Sequence, residues 1–400
     1  MSESTTEVHD EQVVNRAGRP QGMLLMFVSC LPVLGAVLLA PVLPSMEQHF
    51  AGTPYATALV PVTLTVPALM IGLLAPFAGR IVDRFGRKRL LVGALVTYAF
   101  FGTAPLYLTG LPAIVLSRVG VGITEAAIMT CCTTLIADYF SGAARDRWLA
   151  MQTVFASLSA TLFFALGGAL GSLTWRAPFW LYASSLLFAL LAARLLWQPT
   201  PRSASSSRQL PPIPWRALAV PCLVTLFGGV VFYTPIVELP YVLDNAGVKA
   251  VGAIGAVTAI ASAATATGAF IFGRTSRFGT RTLLPIAFAL AGTGLVIVGL
   301  TTTVPVIVIG AVIAASGTGL MLPTLLTWAL SALTYDQRGR GTGLWTATLF
   351  IGEFACPLLI LAISTPTGGL GRAVVVVGAA AILLAVTTRL RFPSPASIPA

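Results

Sequence analysis

Charge is scarce in this sequence. Of its 400 residues, 9% are Asp, Glu, Lys or Arg, where a water-soluble domain needs about a quarter to cover its surface. Lys is nearly missing, with Lys88 and Lys249 the two copies, and the two His are His9 and His49. Neither His can assemble a catalytic centre, and the composition leaves no soluble domain to hold one, so enzymatic activity is not expected. The five Cys (Cys30, Cys131, Cys132, Cys222 and Cys356) fall in apolar stretches without metal-ligand spacing. They read as buried structural thiols, and neither a metal nor any other cofactor is expected. There is no G-x-x-x-x-G-K-S/T pattern, which excludes an ATP-driven pump built on a phosphate-binding loop.

Long apolar runs are what the sequence has instead. Hydrophobic residues make up 56% of the chain, and twelve stretches are long enough to cross a hydrocarbon core of ~30 Å as helices. They run over 23–44, 57–78, 90–109, 112–134, 149–171, 177–197, 218–241, 251–272, 283–301, 305–328, 341–363 and 370–388. Helices are expected because a lipid-exposed backbone must satisfy its own hydrogen bonds, whereas a closed barrel would show short alternating segments. The expected fold class is therefore an all-α polytopic membrane protein with the lipid bilayer as its permanent partner. Residues 1–22 show no basic-then-apolar build-up, so no signal peptide is expected.

The net charge of +11 points to topology rather than nucleic acid. If the N-terminus is cytoplasmic, 20 of the 24 Lys and Arg fall in cytoplasmic segments. Arg176, Lys249 and Arg372 fall outside, and Arg118 lies within a span. This asymmetry is the positive-inside pattern and predicts a multi-pass plasma (inner) membrane protein with both termini cytoplasmic. All seven Trp lie near span ends, as an interfacial aromatic belt requires.

The chain divides in the middle. A Pro/Ser/Arg stretch, residues 198–217, separates a six-span bundle over 23–197 from a second over 218–388, with tails at 1–22 and 389–400. The halves resemble each other: "RFGRKRLL" at 84–91 recurs as "RFGTRTLL" at 277–284, "SATLF" at 159–163 as "TATLF" at 346–350, and "LPSMEQHFAG" as "LPYVLDNAG". Two parallel six-helix repeats describe a transporter whose substrate site lies between the halves.

The loop after span 2, "GRIVDRFGRKRLL", gathers six charged side chains into residues 79–91. It matches the pattern G-x-x-x-D-R-x-G-R-K/R-x through Gly79, Asp83, Arg84, Gly86, Arg87 and Lys88. On these residues the chain resembles the major facilitator superfamily over nearly its whole length. The resemblance implies twelve helices in two pseudo-symmetric bundles. It also implies a cytoplasmic charge cluster that latches the outward-facing state and breaks when the inner gate opens. Gly86 supplies a turn conformation, and Gly79 is expected to allow close helix approach. Asp83 is expected against a helix N-terminus or an arginine of the neighbouring loop, such as Arg145 or Arg147.

Four ionisable residues fall inside spans: Arg118, Glu125, Glu238 and Glu353. Each costs roughly 2.5–3.5 kcal/mol on insertion and is a functional candidate by default. Arg118 and Glu125 are two helical turns apart and share one face of span 4. "RVGVGITEAAIMTCCTTLIADYF" resembles the family's span-4 pattern R-x-x-x-G-x-G/T, which implies an arginine facing the central cavity. It is also similar to spinster-like branches, in which the Glu125 position is a coupling site, although Thr124 replaces their Gly.

Three intramembrane acids against one base favour protons and cationic or neutral amphipathic substrates, with Phe163, Phe164, Tyr233, Trp345 and Phe354 as a candidate apolar wall. "APVLPSMEQHF" and "APFAGRIVDRFGRK" look like the twelve-span drug and sugar efflux branch. In span 5 the antiporter pattern G-x-x-x-G-P-x-x-G-G keeps Gly167 and Gly168, while Phe163 and Phe164 replace Gly-Pro. The expected function is proton-coupled efflux of a small amphipathic drug or metabolite by a monomer, energised by the proton gradient. The alternatives are a proton symporter for a nutrient or sugar acid, a spinster-like lysolipid carrier, and a transporter-shaped sensor or passive scramblase.

Overall fold

The structure, a computed structural model, describes residues 17–199, 212–331 and 333–391. His9, most of the linker and most of the C-terminal tail lie outside the described residues. Among the described residues twelve helices are long and apolar enough to cross a membrane. They are α1 (Arg19–His49), α2 (Ala56–Leu74), α3 (Arg87–Leu106), α4 (Leu111–Tyr139), α5 (Gly142–Gly171) and α6 (Ala177–Leu195) in the first half. In the second they are α7 (Trp215–Val237), α8 (Val251–Phe278), α9 (Thr280–Leu300), α10 (Val304–Ser331), α11 (Arg338–Thr367) and α12 (Leu370–Leu390). Large side chains such as Leu116, Leu162 and Leu223 are exposed on the outer faces of these helices, where hydrocarbon rather than water is the solvent.

Proline shapes the departures from uniform helices, because it removes an N–H donor and clashes with the preceding turn. α1 is built of three α-helical pieces, Arg19–Ser29, Leu31–Val37 and Leu43–His49, with a 3-10 turn at Ala40–Val42 before the last, and Pro32, Pro41 and Pro44 stand at the restarts. α2 stops at Leu74, short of the expected 78, just before Pro76; Ala78–Phe85 then forms a separate short helix. α7 likewise ends at Val237, and Leu239–Asn245 is a separate helix opening on Pro240. The two "LP" segments that matched in sequence are thus matching short helices.

The internal repeat is equally visible in the packing. α4 packs on α2 and α3, and α6 on α3; in the second half α10 packs on α8 and α9, and α12 on α9. Two lateral seams join the halves, α5 against α8 and α2 against α11. The repeated loops share their turn: Gly86 has φ 82° and Gly279 has φ 72°, a region that side-chain-bearing residues resist.

The α5–α8 seam is unusually close. A Cβ on Gly168 would lie 2.6 Å from the Gly255 Cα, and one on Gly255 would lie 2.5 Å from the Gly168 Cα, so the backbones cross with nothing between them. This crossing, and the packing of Leu43–His49 on Leu239–Asn245, lie on the face opposite the loop 79–91. The interfacial belt is partial: Trp180 and Trp215 are exposed, but Trp175 is buried beside His49 and Phe50, and Trp345 turns inward.

Candidate functional site

A cavity of about 610 Å³ lies between the halves, lined by residues of α1, α2, α4 and α5 on one side and α7, α8, α10 and α11 on the other. It reaches Thr153, Phe272, Gly273 and Leu326 at the helix ends on the loop 79–91 face. The opposite face is shut by the glycine crossing and the paired short helices. This is one end state of an alternating-access cycle, open toward the charged loop.

Its wall is apolar, from Val33, Leu64, Ile71, Phe232 and others, with two carboxyl side chains set into it. Glu125 comes from the middle of α4 in the first half and Glu353 from α11 in the second. Both are buried, and among the described lining residues there is no Lys or Arg. Tyr233 sits in electrostatic range of both acids. Its hydroxyl donates to the Ala36 carbonyl at 2.7 Å, a hydrogen bond that crosses from α7 to α1. A second cross-half bond runs from Thr161 to Ser262 at 3.2 Å.

Glu125 reaches its position through a gap. A Cβ on Gly35 would collide with Glu125 Oε1, so the carboxyl rests directly on the backbone of α1. Among the described residues that oxygen has no hydrogen-bond partner.

Of the residues expected to line the cavity, Glu125, Glu353, Phe164, Tyr233 and Trp345 do so. Arg118 does not. It is 1% exposed and points into the first bundle, where Nη1 donates to the Tyr182 hydroxyl at 3.0 Å and Nη2 to the carbonyls of Phe101 and Gly102 at 3.1 and 3.0 Å. The guanidinium also lies 5.2 and 5.0 Å from the ring centres of Phe179 and Tyr182. Arg118 and Glu125 lie two turns apart along α4, but the long Arg118 side chain leans toward the acceptors it can reach. Phe163 and Phe354 are half-buried and stand away from the lining.

Glu238 is also absent from the cavity. It caps the end of α7 at the closed face, buried, with Glu47 of α1 as its charged neighbour.

At the open face the loop 79–91 differs from expectation in three ways. Asp83 is 69% exposed and pairs with Arg87 one turn on at 3.1 Å, not with Arg145 or Arg147. Arg145 instead lies 3.7 Å from its neighbour Asp146. Gly79 makes no close approach: among the described residues nothing stands within 4 Å of where its Cβ would be. The missed partner is Asp138 near the end of α4, which holds Arg87 at 2.9 Å. The ion pairs of Asp83, Arg87 and Asp138 thus lie within the first half. Arg84 lies 6.0 Å from the centre of the Phe85 ring, and the Lys88 backbone N–H is capped by Gln198 at 3.0 Å.

One functional candidate carried no sequence signal. Tyr98 of α3 is fully buried, and its hydroxyl donates to the Leu31 carbonyl of α1 at 2.6 Å while lying beside the Glu125 carboxyl. A lone Tyr in an apolar span looks like packing.

The chain is 26% identical over 402 residues to the "Tetracycline resistance protein, class G" of Vibrio anguillarum, covering 95% of this chain and 99% of that one. It is 23% identical over 363 residues to the "Multidrug efflux protein YfmO" of Bacillus subtilis, covering 89% of each. Among solved structures a D-xylose-proton symporter superposes with a TM-score of 0.78 at 15% identity, over 94% of this chain and 98% of that one; this likeness speaks to fold. The sequence profile of the Major Facilitator Superfamily matches residues 25–274 and 222–400. Twelve membrane helices in a repeated arrangement, a cavity between the halves and a profile spanning nearly all of both make this chain a membrane transporter, and it belongs to the Major Facilitator Superfamily.

Proposed function

We propose that this transporter exports lipophilic, neutral or cationic small molecules in exchange for protons, working as a monomer in the bacterial inner membrane with both termini and the loop 79–91 in the cytoplasm. The observation that carries the proposal is the pair of carboxyl groups, Glu125 and Glu353, one from each half, set into an apolar cavity without a lining cation. An apolar wall takes a hydrophobic body by removing it from water. A carboxyl in such a wall can hold a proton in one state and a cationic group in another. Exchange of the two as access alternates couples uphill export to downhill proton entry.

The other intramembrane charges take supporting roles. Arg118, held by carbonyls and rings, supplies a fixed positive field beside Glu125. Glu238 and Glu47 face one another where the outer gate closes. Asp83 and Arg87, now paired inside the first half, would latch the halves when the cytoplasmic side shuts. The excess of Lys and Arg on the loop face supports the orientation, and the names of the relatives support efflux of drug-like compounds.

Proteoliposomes with an entrapped pH-sensitive dye test this. Ethidium, tetracycline, D-xylose and a lysophospholipid are presented in turn, with Glu125→Gln and Glu353→Gln beside the native chain. Substrate-dependent proton flux with ethidium or tetracycline, abolished by one Gln variant, supports the proposal. Substrate movement without proton flux, or native behaviour of both variants, refutes it and leaves a facilitator. A second reading, proton-coupled import, draws on Phe164, which lines the cavity where antiporters carry proline; accumulation of D-xylose in intact cells would select it.

A further inference from the structure

The middle piece of α1, Leu31–Val37, is a seven-residue helix set off by a restart at Pro32 and a break after Val37. Three side chains from three other helices grip it. Tyr98 of α3 donates to the Leu31 carbonyl at 2.6 Å. Glu125 of α4 rests on Gly35. Tyr233 of α7, in the other half, donates to the Ala36 carbonyl at 2.7 Å. A segment held at three points within six residues moves only when its holders let go.

The protons on these groups can be counted. A phenol has one O–H to give. Tyr98 gives its proton to Leu31, although the Glu125 carboxyl is also within reach of that hydroxyl. Tyr233 gives its own to Ala36. With that proton on Leu31, Tyr98 meets the Glu125 carboxyl through its oxygen, and among the described residues Oε1 has no partner. A neutral carboxyl tolerates this, because its own O–H can be donated to the Tyr98 oxygen. A carboxylate does not, because it has no proton to give and demands donors. The charged and titratable groups around Glu125 are Arg118 on α4, Tyr98 on α3, Tyr182 on α6 and Tyr233 on α7, with Glu353 of α11 beyond Tyr233. Arg118 has both terminal nitrogens engaged by Tyr182, Phe101 and Gly102, and its remaining nitrogen, Nε, is in no hydrogen bond among the described residues. Tyr98 is the neighbour in side-chain hydrogen-bond contact with the Glu125 carboxyl, and its donor can be redirected by rotation about a single C–O bond.

We propose that Tyr98 is a positioning residue that transmits the protonation state of Glu125 to α1. While Glu125 carries a proton, the Tyr98 hydroxyl holds the Leu31 carbonyl and the 31–37 segment stays docked. When Glu125 gives up its proton, the hydroxyl turns to the carboxylate and Leu31 is released. The freed segment then loosens at its far end, where Tyr233 ties it across to the second half. Proton release and the inter-half strap are thereby joined through six residues of backbone. The inference rests on the proton-coupled reading of Glu125.

Infrared difference spectroscopy on the full chain in lipid vesicles, with a pH jump and no added substrate, separates the two. The native protein is expected to show a carboxyl C=O band appearing on acidification, together with a shifted tyrosine C–O band. Tyr98→Phe keeps the ring packed on Tyr182, at a centroid distance of 5.1 Å. It is expected to keep the carboxyl band and lose the tyrosine component. Glu125→Gln is expected to lose the tyrosine component and the Glu125 part of the carboxyl band, leaving the part that belongs to Glu353. A tyrosine component that persists in Tyr98→Phe, or a Glu125 band with no tyrosine change in the native chain, overturns the role of Tyr98. A carboxyl band unchanged in Glu125→Gln overturns the proton-coupled reading of Glu125, and this inference with it. If Tyr98→Phe does not fold, native chain with ring-deuterated tyrosine is compared with Glu125→Gln. A shifted tyrosine band in the native chain alone then supports the role of Tyr98, and its absence there overturns it.

Discussion

The glycine crossing at the closed face gives the sharpest quantitative test of how the two halves move. Gly168→Ala adds one methyl at a point 2.6 Å from the Gly255 Cα. An ordinary carbon–carbon contact is about 3.5–4.0 Å, so α5 and α8 must separate by ~1 Å or more wherever they cross. Overpacking of this kind costs about 1–3 kcal/mol. The cost falls on the closed outer face alone, because in the opposite state this face is open. A differential of that size shifts the equilibrium toward the outward-open state by roughly 5- to 150-fold.

Helix propensity works the other way, since Ala is favoured over Gly by about 0.8–1.0 kcal/mol in a helix interior. A shift is therefore not a general loss of helix. The assay is a spin-label distance across the outer face, between cysteines replacing Leu173 and Lys249, both exposed, in a chain whose five native Cys are replaced. Gly168→Ala should populate a longer distance, while Gly52→Ala, on the same face with nothing within 4 Å of its Cβ, should leave the distribution as in the parent. Identical distributions for Gly168→Ala and the parent would refute the idea that this crossing is the contact that closes the outer side.

Further outcomes follow from other contacts. Tyr233→Phe removes the bond to the Ala36 carbonyl, worth about 0.5–1.5 kcal/mol, and should raise the outward-open fraction roughly two- to tenfold in the same spin-label experiment. Arg118→Lys keeps the charge but cannot serve Tyr182, Phe101 and Gly102 together; a drop of several degrees in the melting temperature of the detergent-purified protein is expected, and an unchanged melt would contradict the bonding described. Asp138→Asn weakens the Arg87 pair by about 1 kcal/mol at this partly exposed site. It should leave ethidium affinity within about twofold while transport rate falls, as steady-state uptake would reveal. Gly86→Ala places a side chain at φ 82° at a cost of roughly 1–2 kcal/mol, read as a lower melting temperature than for Gly79→Ala.

The spans were legible because a bilayer imposes one length and one chemistry on anything that crosses it. The repeat was legible because "RFG" and "LP" mark turns whose backbone needs are the same in both halves. Sequence spacing does not reveal what lies across a gap. Arg118 and Glu125 share a face of α4, yet one ends among carbonyls of α3 and the other against α1, a choice made by neighbours distant in the chain. Gly79 and Gly168 look alike as letters, and only the second meets another backbone. Tyr98 acquires its significance from an α1 carbonyl 67 residues away.

Glu125 stands at the centre of α4, with equal lengths of helix on either side. On the proposed role of Glu125 as the proton carrier, that depth would make the membrane potential part of its chemistry. A full elementary charge crossing the bilayer exchanges about 2.3 kcal/mol per 100 mV, so a proton arriving at mid-depth from outside gains roughly half, about 1.2 kcal/mol. In a cell held at about −100 mV that is a roughly sevenfold richer supply of protons at the carboxyl than external pH alone would give. The voltage across the membrane, and not acidity alone, would then set how fast the cycle turns.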